Sequence, residues 1–178
     1  MTPGRGLPSE LPIKRDLATV YAVSCLVALL MAAVSAAGIL FRTTVYPSEE
    51  LLRTFVSNDV VNLLIGVPIL LGSMGLARRG QLVGLLLWPG ALFFVLYNYV
   101  AYAFAMPLGW AFLVHLALAV LSLYTLVGLV SGIDGSVVKR RLAGALPERF
   151  AGGALAGLGL LFFLRVIVVV VDAFSAQR

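Results

Sequence analysis

The chain has 178 residues, of which 61% are apolar and only 12% charged, with a net charge of +5 and a mean hydropathy of +1.05. An ordinary soluble domain carries about 25% charged residues, and a globule of this size cannot be surfaced with so few polar side chains. Soluble globular, disordered, collagen-like and disulfide-rich classes are excluded, which leaves an all-α polytopic transmembrane helix bundle.

Residues 1–16 are polar, contain Pro3, Pro8 and Pro12, and read as a cytoplasmic tail ahead of a single transmembrane domain, residues 17–178. Residues 17–41 form an uncharged run between Lys14-Arg15-Asp16 and Arg42. The run is longer than the roughly 7–15 apolar residues of a signal peptide and is expected to be an uncleaved first span. Pro47-Ser48-Glu49-Glu50 has the form of a helix start, with acids against the positive helix end. Leu51, Leu52, Phe55 and Val56 then share one face, which fits an interfacial helix or an extension of the next span. The second span is expected over 60–77, near the minimum length for a core of about 30 Å. Arg78-Arg79-Gly80-Gln81 makes a tight basic turn, and the third span follows over 82–106. After Pro107-Leu108-Gly109 comes the fourth, 110–130. A basic loop over 131–150 precedes a fifth, 151–171.

Counting cations by side orients this five-span chain. Arg5, Lys14, Arg15, Arg78, Arg79, Lys139, Arg140, Arg141 and Arg149 fall on one side, and Arg42, Arg53 and Arg178 on the other. The positive side faces the cytoplasm, so the amino end is expected inside and the carboxyl end outside, in a prokaryotic inner membrane. The same rule accounts for the basic charge without nucleic acid. Cys25 and His115 are each the sole residue of their type, which excludes an intrachain disulfide and a two-histidine metal or haem site within one chain. No cofactor is expected.

Polar groups inside spans avoid lipid and face protein or a wet cavity. On this topology Asp59 and Asn62, Tyr97, Asn98 and Tyr102, His115, and Arg165 with Asp172 all fall in the outer half of the bundle. Asp59, Asn62 and Gly66 share a helical face, as do Asn98 and Tyr102, and His115 and Ser122. The faces are expected to converge on a polar pocket open to the outside. Each residue also has a plainer role. Arg165 can snorkel or pair with Asp59 or Asp172, and Asp59 can cap the second helix with Ser57 and Asn58. His115 can be a packed core residue, and Tyr99, Tyr102, Trp110 and Phe112 can form an aromatic belt. Asn98 wants a partner on another helix, a bond worth about 0.6–2 kcal/mol. Pro68 and Pro89-Gly90 interrupt two spans, a pattern that transporter sites and ordinary spans share.

Asp59-Val60-Val61-Asn62-Leu63, Gly66-Val67-Pro68, Leu76-Ala77-Arg78-Arg79-Gly80, Leu96-Tyr97-Asn98-Tyr99 and Phe150-Ala151-Gly152-Gly153 together resemble a family of prokaryotic multi-pass membrane proteins with no assigned activity. The resemblance covers residues 58–170 at most. It implies a multi-pass membrane fold, often with spans beyond the fifth, and no catalytic residues.

Three functions are compatible with this sequence. The first is binding, or passage, of a small polar or anionic ligand or a lipid headgroup in the outer pocket. Arg165 would hold it, with Asn98, His115, Tyr102, Asn62 and Asp59 around it. The second is a structural or accessory subunit, whose polar groups lock helices to one another, to a second copy or to a membrane partner. The third is a lipid-modifying enzyme with His115 as base. HExxH, P-loop and G-x-S-x-G motifs do not occur, which weighs against an enzyme.

Overall fold

The computed structural model describes residues 11–142. The expected fifth span, with Arg165 and Asp172, lies outside the described residues. The chain divides into two compact units, residues 1–134 and 135–178.

In the first unit, α1 (Ala18–Leu40) is followed by the single turn α2 (Arg42–Val45). A long helix then runs as α3 (Glu49–Val61), a π-helical turn (Asn62–Gly66) and α4 (Val67–Arg78). The last two helices of this unit are α5 (Leu82–Ala105) and α6 (Trp110–Gly132). In the second unit the described residues form one short helix, α7 (Gly135–Leu142), inside the segment expected as a loop. Among the described residues four helices are long and apolar enough to cross a membrane: Ala18–Leu40, Glu49–Arg78, Leu82–Ala105 and Trp110–Gly132. The protein is membrane-embedded, and its surface presents large apolar side chains, among them Leu40, Phe104 and Leu108 at 74%, 89% and 87% exposed.

The second membrane helix departs most from the sequence expectation. It starts at Glu49 and runs for 30 residues instead of the 18 of residues 60–77. Ser48 caps it, its hydroxyl accepting the Leu51 N–H at 3.3 Å, with Glu49 and Glu50 in the first turn. The polar stretch 53–58 does not break it, because Phe55 and Asp59 fall on one face and are buried in the bundle. Asp59 is therefore an interior residue of the helix, not its cap. The π turn sits just before Pro68, which has no N–H to donate and whose ring crowds the preceding carbonyls. Widening by one residue relieves this, and the Val67 N–H reaches the Asn62 carbonyl instead.

The turn joining α4 to α5 follows from Gly80, whose φ of +77° suits glycine. Its N–H donates to the Ala77 carbonyl at 2.9 Å, and the Gln81 N–H donates to Leu76 at 3.0 Å. These two bonds close the end of α4 as a Schellman motif. Gly84 then lets α5 approach the backbone of Ala77 closely. The four long helices thus run alternately up and down. In the half of the bundle where α1 starts, Trp88 Nε1 donates to Ser24 Oγ at 3.1 Å and the Trp88 ring packs on Tyr21 at 4.4 Å. At the same end the strap before α1 is tied to the end of α6, the Lys14 N–H donating to Gly132 and the Asp134 N–H to Pro12, each at 2.8 Å.

Candidate functional site

The end of the bundle where α1 finishes and α6 begins gathers most of the polar residues singled out in the sequence. Asp59 is fully buried. One of its carboxylate oxygens, Oδ1, accepts the Tyr102 hydroxyl at 2.8 Å and the other accepts the Tyr46 hydroxyl. Tyr46 lies in the connection between α2 and α3 and is 1% exposed. Burial, and then the hydrogen bond to the Asp59 carboxyl, push the Tyr46 phenol above its ordinary range. α1 makes room for the acid with a glycine: a Cβ on Gly38 would overlap the Asp59 carboxyl and reach the Tyr46 oxygen at 2.7 Å. Among the described residues no cation forms an ion pair with Asp59.

Aromatic rings continue from this acid. Tyr46 stacks on Phe55 at 6.0 Å, and Phe55 packs on Tyr102 at 4.4 Å. Tyr102 and Tyr99 both contact the His115 ring, at 4.8 and 5.6 Å. The Tyr99 hydroxyl meets Ser35 of α1 at 3.4 Å. Tyr99 and Tyr102 are fully buried and do not belong to an aromatic belt. They fall on the bundle face of α5, where their hydroxyls find partners on α1 and α3. Trp110, at 62% exposed, does face outward.

The candidate residues fall into two groups. Asp59, Tyr102 and Asn98 are committed to bonds within the chain. Asn98 of α5 accepts from Asn58 Nδ2 at 2.9 Å and donates to the Phe94 carbonyl at 3.0 Å, so its partner helix is α3. Asn62 and His115 are uncommitted: both are fully buried, and among the described residues neither the amide of Asn62 nor either nitrogen of His115 has a hydrogen-bond partner. Ser122, two turns along α6 from His115, is in the same state. Among the described residues the polar groups at this end of the bundle thus form a buried cluster whose members largely bond to one another. The polar groups lie at one depth, but their side chains are long enough to reach each other, and pairing them costs less than leaving them wet beside lipid. The other half of the bundle also holds polar groups, at Ser24, Ser73 and Thr125.

His115 has a second neighbour. It lines a cavity of about 280 Å³ between α1 and α6, whose other walls include Leu30, Val34, Val45, Trp110 and Val114. It is the only ionisable residue among the described residues lining it. Among the described residues there is no group of acids, histidine and cysteine that could hold a metal ion. Comparison with protein families, with curated proteins and with solved structures finds no match. The chemistry of the site is accordingly read from its own geometry.

Tyr46, Ser35 and Gly38 are the site residues that the sequence reading missed. Tyr46 lies outside any periodic run, and a single serine and glycine in an apolar span look like packing residues. The local signal at Tyr46 is its position just before Pro47-Ser48, where the chain must turn back over the bundle end.

Proposed function

We propose that this is an integral membrane protein of non-enzymatic function that binds a bilayer-soluble molecule with a hydrogen-bonding head. The head meets His115, and the apolar body lies in the cavity between α1 and α6. The carrying observation is the pairing of a buried imidazole, both nitrogens without a hydrogen-bond partner among the described residues, with a cavity whose described lining is otherwise apolar. A neutral imidazole offers one donor and one acceptor, and leaving either unmet in the interior costs about 1–3 kcal/mol. A carbonyl or hydroxyl on an amphiphile supplies the missing partner, and the cavity walls suit its hydrocarbon. The acid Asp59 is linked to His115 through Tyr102, and no cation is among the described residues lining the cavity, which favours a neutral head over an anion. An anionic ligand would depend on Arg165, outside the described residues.

On this reading residues 151–171 add a fifth span to the four helices. The end bearing Lys14, Arg15, Arg78 and Arg79 faces the cytoplasm, and the His115 cavity belongs to the outer half of a prokaryotic inner membrane.

Native mass spectrometry of the purified chain, with extraction of bound species, tests the proposal. The wild type should carry an amphiphile. His115→Phe should lose it by removing the polar contact, and Ala33→Phe should lose it by filling the cavity while keeping the imidazole. A wild type that is free of bound species and no more stable than Ala33→Phe would overturn the proposal.

A second reading has its own support. The bonds Tyr102–Asp59 and Asn58–Asn98 both join α3 to α5, as expected of polar groups that lock helices in a structural or accessory subunit. Replacing them should cost stability and leave amphiphile retention unchanged.

A further inference from the structure

The opposite end of the bundle carries a different site, independent of the His115 cavity. A cavity of about 560 Å³ opens where α1 begins and α4 ends, lined by Arg15 and Arg78, by Tyr21, and by the apolar Leu11, Ile13 and Ala77. The two arginines come from separate elements. Arg15 lies on the strap before α1, held against the end of α6 by the Lys14–Gly132 and Asp134–Pro12 backbone bonds and the Ile13–Ile133 bridge. Arg78 is the last residue of α4, fixed by the Gly80 turn. Neither has an ion-pair partner among the described residues. Asp16 also lines the cavity, one of its carboxylate oxygens accepting the Ala18 N–H at 2.9 Å, so the described lining carries two cations against one acid.

Arg15 lies just before one membrane-long helix and Arg78 at the end of another, where lipid headgroups would lie once the helices span a bilayer. We propose that this cavity binds the phosphate of an anionic phospholipid, clamped between the Arg15 and Arg78 guanidinium groups, with the glycerol and upper acyl carbons against Leu11, Ile13 and Ala77. Guanidinium matches phosphate as a planar, two-pronged donor, and the apolar floor explains why a lipid fits better than a free ion. Anionic lipid is attracted to basic segments beside membrane helices generally. What sets this site apart is that Arg79, the neighbouring cation in the same turn, does not line it.

The test is thermal unfolding of the full chain in neutral detergent, titrated with short-chain phosphatidylglycerol, short-chain phosphatidylcholine or inorganic phosphate. Phosphatidylglycerol should raise Tm saturably by several degrees, and the other two should not. Arg15→Gln and Arg78→Gln should each weaken the effect and together abolish it, while Arg79→Gln should keep it. Arg78→Lys, which retains the charge and loses the fork, should weaken it partly and serves if the double variant misfolds. An equal loss in Arg79→Gln would reduce the effect to diffuse charge and overturn the proposal. An equal response to inorganic phosphate would overturn the lipid assignment in favour of a free-phosphate site.

Discussion

Gly38 on α1 and the Asp59 carboxyl on α3 fill the same space: the carboxyl occupies the volume that any other residue's Cβ would take. A charged residue enters the end of an apolar bundle because its neighbour has no side chain, and because two phenols meet its oxygens. This arrangement makes Gly38 sensitive to any added side chain. Gly38→Ala should force the carboxyl away from Tyr46 and Tyr102, costing about 1–3 kcal/mol as overpacking and lowering Tm. Gly72→Ala is the control, because nothing lies within 4 Å of its new methyl, and its Tm should hold or rise slightly. Differential scanning fluorimetry in detergent reads both.

Removing the acid should cost more than removing either phenol. Asp59→Ala leaves the Tyr46 and Tyr102 hydroxyls without their acceptor, at about 1–3 kcal/mol for each stranded group. Tyr102 keeps a weaker alternative, the Phe55 carbonyl at 3.3 Å, so Tyr46 should carry more of the loss. Combining Asp59→Ala with Tyr46→Phe should be less damaging than the two single costs added, because the second change removes one orphan donor. A double-mutant cycle on thermal stability measures this coupling.

Tyr46 also predicts a pH dependence with a definite sign. Its folded-state pKa is raised by burial and by its bond to the acid, whereas an unfolded tyrosine ionises near 10. Its contribution to stability is complete below that value and is lost as pH rises above it, because the unfolded chain can release the proton and the folded one resists. Wild-type Tm should therefore fall more steeply than that of Tyr46→Phe between about pH 9 and 11. Parallel curves would show that Tyr46 takes no part.

Asn98→Leu should separate α3 from α5 locally. It removes the acceptor of Asn58 and should cost about 0.6–2 kcal/mol. The pair Asn58→Leu and Asn98→Leu together should recover most of that, because no amide is left unpartnered in the interior. Asn62→Leu should by contrast be neutral or stabilising, since its amide has no partner to lose. Thermal unfolding of the three variants, side by side, distinguishes a bonded buried amide from an orphaned one.

The sequence alone determined that lipid surrounds this chain, because its apolar content exceeds what any interior of its size can hold. Uncharged runs placed the helices Ala18–Leu40, Leu82–Ala105 and Trp110–Gly132 within one or two residues of the expected spans, because their bounds are set by charges, Pro and Gly. Helical spacing also put Asp59, Asn62, Asn98, Tyr102 and His115 on inward faces. Tertiary structure alone decided which of them bond to one another. Hydrogen-bond partners such as Tyr46 and Ser35, and the space left by Gly38, are brought to Asp59 and Tyr99 by packing between helices, at separations that no local period encodes. The same packing carried the second membrane helix back through polar residues to Glu49, since burying Phe55 and Asp59 against neighbouring helices outweighs the weak helical preference of that stretch. Among the described residues it left His115, Asn62 and Ser122 without hydrogen-bond partners while it bonded Asp59, Tyr102 and Asn98.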